Sequence, residues 1–285
     1  MSLPFLREVP VGMGYFHYIR IIYFIIKNQL FPCNSIFYGT IWKIIIYVKS
    51  MKEIFKKYSL ELENIEIEKF EKFLQIFKEK NAQVNLSAIR EDDAIIEKHF
   101  VDSILLNAFV DFEGTVEWAK IKVADLGTGW GFPLLPLAIV NPNVAFTGID
   151  SVGKKLKAIN DFAEELGLHN VETINARAED LGQDLQHREQ YDYVVSRATA
   201  FLPTLLEFTI PLLKVGWLFI AYKLWDKDEL KSAKKALSRL SSKIYKVKNY
   251  TLWDQDRTFV IIEKISATHK KYPRKNGIPL QNPLK

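Results

Sequence analysis

Lys122 to Pro133 reads K-V-A-D-L-G-T-G-W-G-F-P, and this segment decides the fold. Apolar residues lead into Asp125 and Leu126, glycines fall at Gly127, Gly129 and Gly131, and a second apolar stretch runs from Phe132 to Val140. The pattern predicts a strand, a tight turn and a helix. Glycine accepts positive φ and lets backbone approach a ligand closely, while the helix start points free N–H groups at the same spot. The turn therefore predicts a cofactor cradle, with a ligand-free glycine loop as the plainer alternative. Its spacing is G-x-G-x-G, whereas a dinucleotide fingerprint requires G-x-G-x-x-G, and Phe132 stands where the last glycine belongs. Asp125 and the shorter spacing suit a nucleoside cofactor lacking a pyrophosphate.

Outward from this turn, strand patterns cover Lys122–Leu126, Ala145–Asp150, Val171–Asn175, Tyr191–Ser196, Trp217–Tyr222, Ile244–Lys248 and Thr258–Glu263. Helices are expected at Phe132–Val140, Lys154–Leu166, Leu202–Leu213 and Asp226–Leu240. Buried-type strands separated by helices predict an α/β sandwich with parallel pairing. Only Asn249 to Arg257 separate the last two strands, too little for a crossover helix, so these should form an antiparallel hairpin. In such sheets ligands gather at the carboxyl ends of strands. Asp125, Asp150, Arg177-Ala178-Glu179, Ser196-Arg197-Ala198 and Lys223 all fall at those ends. Asp150 suits the hydroxyls of a ribose, and equally suits the cap of the following helix.

Upstream, Ile65 to Lys80 repeats apolar residues near 3.6-residue spacing and predicts an amphipathic helix with an aromatic core stripe. Ser87 is placed to cap a short turn, and Arg90 to face a polyanion. A second helix is expected at Asp92–Phe109. It contains His99, Asp102 and Ser103, but a hydrolase triad is rejected because no strand-to-helix nucleophile elbow surrounds Ser103. The five histidines are scattered, so no metal site is expected.

The 285 residues suffice for one catalytic domain with a smaller accessory part. A single cysteine, Cys33, excludes an internal disulfide and fits a reducing cytosol. The net charge of +5 is uneven: residues 1–50 hold five Lys or Arg against one Glu, leaving the remainder near neutral. Residues 1–50 are apolar and aromatic, with Arg20 and Lys43 interrupting them; Met51 opens a stretch of different composition. We expect an atypical extension, upstream of a true start at Met51, in preference to a signal peptide or an interfacial anchor. The divisions that follow are a helical cap at 51–110, a catalytic domain at 111–264 and a basic tail at 265–285. From Lys264 onward the chain carries six Lys or Arg and no acid, a run that reads as a solvated face or as a grip on a sugar-phosphate backbone.

Taken in order, N-L-S-A-I at 85–89, E-K-H-F-V-D-S at 97–103, D-L-G-T-G-W-G-F-P at 125–133, I-D-S-V-G-K-K at 149–155, R-A-E at 177–179, Y-D-Y-V-V-S-R-A at 191–198 and K-Y-P-R-K-N-G-I-P at 271–279 closely resemble the bacterial small-subunit (16S) rRNA guanine-N7 methyltransferases, formerly glucose-inhibited division protein B. The resemblance spans Met51 to Lys285. It implies a seven-stranded, Rossmann-like class I methyltransferase sheet with a small N-terminal helical cap. It also implies S-adenosylmethionine as cofactor and a decoding-region guanine as substrate. Carried over by position, Gly127, Thr128, Gly129 and Phe132 hold the methionine and adenosine portions, beside Asp125. Asp150 binds ribose, Ala178 and Glu179 border adenine, and Arg197 lies near the methyl group and positions RNA. Arg90, Lys154, Lys155, Lys223, Lys271, Arg274 and Lys275 are the expected RNA contacts.

A cytoplasmic monomer acting on 16S rRNA or the small ribosomal subunit is expected, without a stable membrane partner for residues 51–285. Trp130, Leu134-Leu135, Leu224 and Gln281 depart from the family's usual residues. Guanine N7 presents an in-plane lone pair and loses no proton on methylation, so no general base is needed. The alternatives are a noncatalytic rRNA-binding assembly factor that retained the fold and, disfavoured by the glycine spacing, a NAD-dependent oxidoreductase.

Overall fold

The computed structural model describes residues 51–112 and 120–284. The expected extension at 1–50 lies outside the described residues. By its contacts the chain divides into Met1–Glu53 and Ile54–Lys285, and the fold below is that of the second unit.

Seven strands form one sheet: β1 (Lys122–Leu126), β2 (Ala145–Asp150), β3 (Val171–Asn175), β4 (Tyr191–Arg197), β5 (Leu213–Leu224), β6 (Ser242–Leu252) and β7 (Gln255–Lys264). Their order is β3-β2-β1-β4-β5-β7-β6, parallel through β5 and antiparallel at β7 and β6. The order reverses between β1 and β4, which opens a crevice at their carboxyl ends. Val123, Ala124, Val194, Val195 and Phe219–Ala221 are all buried, as strands covered on both faces require. Trp217–Tyr222 proves too short a reading of β5. The strand starts at Leu213 and passes Gly216, at φ 84°, where its register against β4 shifts. Gly216 marks a bulge within a strand and not a turn before one.

The expected 65–80 helix is α1 (Asn64–Val84), closed by a capping box between Glu63 and Glu66 and ended at Asn85, whose φ is 53°. Phe73 and Phe77 from its stripe meet Phe132 at ring-centroid distances of 5.5 and 5.3 Å, so this helix roofs the glycine turn. The second helix, α2, is irregular. An α-helical start at Asp92–Ile95 gives way to a π-helical turn at Ile96–Val101, then to Asp102–Ile104 and a 3₁₀ end at Leu105–Ala108. Helices α3 (Leu134–Val140) and α4 (Gly153–Glu165) follow β1 and β2. A short α5 (Ala178–Leu181), unforeseen in sequence, follows β3. The opposite face is covered by α6 (Leu202–Thr209), continued by a 3₁₀ turn at Ile210–Leu212, and by α7 (Lys227–Ser232) and α8 (Lys234–Arg239).

The single helix expected at Asp226–Leu240 breaks at Ala233. The break lets Ala233, Ala236 and Leu237 enter the core beneath α6 while Glu229 reaches back to the N–H of Leu202, 2.6 Å away. The tail is packed, not loose: Tyr272 and Leu284 are buried, and α9 (Ile278–Gln281) lies where Pro279 accepts a hydrogen bond from Thr204 Oγ1. Among the described residues no helix is long and apolar enough to cross a membrane.

Candidate functional site

A cleft of about 480 Å³ opens at the carboxyl ends of β1, β2 and β4. Its floor is the glycine turn, with φ of 72°, 59° and 91° at Gly127, Gly129 and Gly131. The amides of Gly127 and Thr128 donate to the Ile149 carbonyl at 2.8 and 3.1 Å, tying the turn to β2. An added Cβ at Gly127 would fall 2.6 Å from the Thr199 side chain, whereas at Gly129 it would meet only a backbone oxygen 3.9 Å away. Gly127 is thus closed in by protein, and Gly129 faces open space where a ligand can approach.

Asp150 ends β2 in the cleft wall. Its Oδ2 accepts the Gly129 amide at 3.1 Å, its Oδ1 accepts the Val152 amide at 2.9 Å, and Lys155 Nζ stands 3.6 Å away. One carboxylate therefore fixes both the turn and the approach to α4, and it keeps lone pairs for hydroxyl donors. Asp125 is different. The wall begins at Leu126, and the Asp125 carboxyl lies behind it, fully buried. Its Oδ2 accepts the Leu134 amide at 3.3 Å while Oδ1 has no partner. Burial pushes this carboxyl up to about 7. The expectation that Asp125 meets the cofactor does not fit: it braces the start of α3 from below.

Arg197 ends β4 and enters the cleft opposite the turn. Its Nη1 donates to Asp102 Oδ2 at 3.0 Å and to the Lys98 carbonyl at 3.3 Å, and its guanidinium carbon lies 5.5 Å from the Phe132 ring centroid. Phe132 in turn stacks on His99 at 4.7 Å. Burial first, then the Arg197 and Arg257 charges, hold the His99 imidazole down to about 3, so it is neutral at physiological pH. His99 Nε2 lies 3.1 Å from Ser87 Oγ, while Ser103 Oγ donates to the His99 carbonyl at 2.5 Å. The three residues of the rejected triad thus make no nucleophile relay. Ser196 and Thr199 hydroxyls both reach the Leu126 carbonyl, at 2.8 and 3.3 Å, stitching the wall after β4 to the end of β1.

Ala178 and Glu179 line the cleft as expected, but the Glu179 carboxylate accepts the Gly277 amide at 2.9 Å. It anchors the tail, and Leu280 from α9 completes that wall. Sequence reasoning missed Leu280 and Thr199, which carry no pattern of their own, and read Ser87 only as the cap of a turn, where its Oγ does accept the Ile89 amide at 3.1 Å, without placing it in the cleft wall.

The expected RNA contacts separate into two groups. Lys154, Lys271 and Lys275 are exposed. Arg90 is exposed too, though its guanidinium reaches the end of α1 through the Asn81 carbonyl at 3.2 Å and Asn85 Oδ1 at 2.5 Å. Lys155 faces into the cleft beside Asp150. Lys223 and Arg274 do not fit the expectation. Lys223 Nζ is 2.6 Å from Glu229 Oε1 and donates to the Ala200 carbonyl, and Arg274 grips fully buried Glu207 with Nε and Nη2 at 2.8 and 2.7 Å. Both cations are held by carboxylates the chain buries. Among the described residues no group of three or more His, Cys, Asp or Glu is arranged for a metal ion.

A sheet in this order, with its glycine turn, its acidic second strand end and its cleft at the switch point, defines a class I S-adenosylmethionine-dependent methyltransferase. The sequence profile of the rRNA small subunit methyltransferase G family matches residues 66–259. The protein of that name from Lysinibacillus sphaericus (strain C3-41) is 40% identical over 235 residues, 81% of this chain and 97% of that one. Its counterpart from Streptococcus pyogenes serotype M12 (strain MGAS2096) is 43% identical over 221 residues, 76% and 91% of the two chains. The chain belongs to the rRNA small subunit methyltransferase G family.

Proposed function

We propose that the protein transfers a methyl group from S-adenosylmethionine to N7 of a guanine in the 16S rRNA of the small ribosomal subunit. The observation that carries this reading is that the glycine turn, Asp150 and Arg197 line one cleft, of a size that suits a nucleoside cofactor. One feature of the chain fits that cofactor in particular: the open side of Gly129, where an added Cβ would meet only a backbone oxygen 3.9 Å away. When bound, S-adenosylmethionine supplies a methyl carbon already activated by its positively charged sulfur.

The residues have the following work. Gly127, Thr128 and Gly129 present backbone to the methionine and adenosine portions, and Asp150 accepts the ribose hydroxyls with the lone pairs its two amide bonds leave. Ala178 borders the base with Phe132 across the cleft. Arg197 stays protonated and cannot act as a base; held by Asp102, it orients the guanine edge or its phosphate. Neutral His99 adds no second cation behind the Phe132 ring. Rate arises from alignment, since N7 has no proton to lose.

Two variants test this. Asp150→Ala should weaken S-adenosylmethionine binding measured by calorimetry. Arg197→Lys should lower tritiated-methyl transfer to small-subunit rRNA by roughly 100-fold, the scale of a misplaced reactant, while cofactor affinity changes little. The substrate must be rRNA from a strain lacking the gene. Wild-type protein that binds this RNA yet leaves no N7-methylguanine in it would favour the noncatalytic assembly factor instead.

A further inference from the structure

We propose that Trp253, at the tip of the β6–β7 hairpin, is a stacking surface for an unpaired base of the RNA strand beside the target guanine. This rests on the reading of the cleft as an rRNA methyltransferase site. Leu252 pairs with Gln255, so the hairpin turns on two residues, Trp253 and Asp254, with φ of 48° and 56°. Such a turn selects Asn-Gly, and a bulky side chain at positive φ is strained there. Burial offsets only part of that strain, because Trp253 remains 41% exposed. A large ring kept in an unfavourable backbone conformation and in water is placed for what it can touch.

Its position says what that is. Lys98 Nζ lies 4.7 Å from the Trp253 ring centroid, and the carbonyl of the same Lys98 accepts Arg197 Nη1 at 3.3 Å. One residue of α2 therefore touches both the indole and the cleft arginine. Asp102 braces the pair. Fully buried, it accepts Arg197 Nη1 at 3.0 Å, Arg257 Nη1 at 2.8 Å and the Tyr250 hydroxyl at 2.9 Å. Tyr250 and Arg257 belong to the hairpin, so its tip is tied to the guanidinium at the reacting centre. A cation beside an exposed ring, joined through Lys98 and Asp102 to the arginine of the substrate cleft, is an arrangement that suits single-stranded bases. Exposed Asp254 and Asp256 follow Trp253 in the chain and add negative charge to the hairpin tip, which disfavours a phosphate there and makes the contact one of ring on base.

The test compares Trp253→Asn with Trp253→Phe in the full chain. Asn suits the turn, so its thermal midpoint should equal or exceed the wild-type value, which separates recognition from folding. Equilibrium binding of protein-free small-subunit rRNA should weaken about tenfold in the Asn variant, within the range for one stacked base, and recover most of the way with Phe. S-adenosylmethionine affinity should not change, and neither should the salt dependence of RNA binding. Unchanged RNA affinity in the Asn variant overturns the proposal. So does weakening seen only with assembled subunits and not with protein-free rRNA, which would show the ring meeting a ribosomal protein. Because the readout is binding, it is independent of whether the wild-type protein transfers a methyl group.

Discussion

Asp125 and His99 sit on either side of the glycine turn and respond to pH in opposite senses. The Asp125 carboxyl titrates near 7 in the fold and near 4 in an unfolded chain. Between these values the folded protein holds a proton that the unfolded chain has lost, so this residue makes stability fall as pH rises from about 4 to about 7. His99, held to about 3 in the fold and near 6.5 when unfolded, makes stability rise across most of the same window. The two slopes oppose, and the wild-type protein should show little pH dependence between them. Asp125→Asn should unmask the histidine: denaturant titrations should give stability rising from pH 4 to 6.5 and, at pH 8, a gain over wild type of order 2–4 kcal/mol. A stability that falls with pH in that variant would refute the assignment. Gly127 offers a second test at this scale. Gly127→Ala combines φ 72° with a Cβ 2.6 Å from Thr199, whereas Gly167→Ala has a similar φ of 63° and nothing within 4 Å. Both should lose about 1–2 kcal/mol to backbone strain, but only Gly127→Ala should also lose more than tenfold in S-adenosylmethionine affinity by calorimetry. These contrasts explain what the sequence shows of single residues. It reveals that Gly127 and Asp150 lie at strand ends, because local pattern fixes that. It does not reveal that Asp125, one strand end earlier, is turned behind the wall.

Elements buried on both faces are the most legible. β1 and β2 match their sequence readings residue for residue, since largely buried runs bounded by turn residues leave little freedom, and the edge strand β3, with no buried residue, matches on its β-branched Val171, Thr173 and Ile174. The helices that shape the site are less legible. The π-helical turn at Ile96–Val101 inserts extra backbone into a stretch whose apolar spacing still looks helical. It allows His99 to stack on Phe132 while Asp102, three residues on, meets Arg197, Arg257 and Tyr250. The tail is the other case. Six basic residues without an acid suggest a free polyanion grip, yet the partners that claim them lie far away in sequence. Glu207 on α6 takes Arg274, and Glu189 takes Lys264 at 2.7 Å. Arg274 is thus a fastener of the tail. Arg274→Ala leaves Glu207 buried with only the residue-274 amide at 2.8 Å to satisfy it, and should cost about 3 kcal/mol in chemical unfolding. Adding Glu207→Gln should recover part of that loss. If the double variant is as unstable as the sum of its singles, the pair is not coupled.

At the scale of the molecule, charge decides how RNA is met. Residues 1–50 carry +4 of the formal +5, so the body that forms the cleft is nearly neutral. It cannot draw a polyanion by its overall field, and attraction must come from particular exposed cations. Internal ion pairs remove Lys223, Arg274 and Lys264 from that set. Lys154, in the first turn of α4, and Lys271 and Lys275, in the tail that Glu179 fastens to the cleft, remain exposed. Replacing these three by Gln should weaken rRNA binding and flatten its salt dependence. For a single strand, every phosphate the variant no longer neutralises should reduce the slope of log affinity against log salt by about 0.7, giving a total change near 2 if all three lysines meet phosphates. Lys223→Gln should instead lower stability through unpaired Glu229 and leave the slope alone. Should the triple variant keep the wild-type slope while Lys223→Gln flattens it, the internal pairs would have to open on binding, and RNA would approach along β5 and not across the tail.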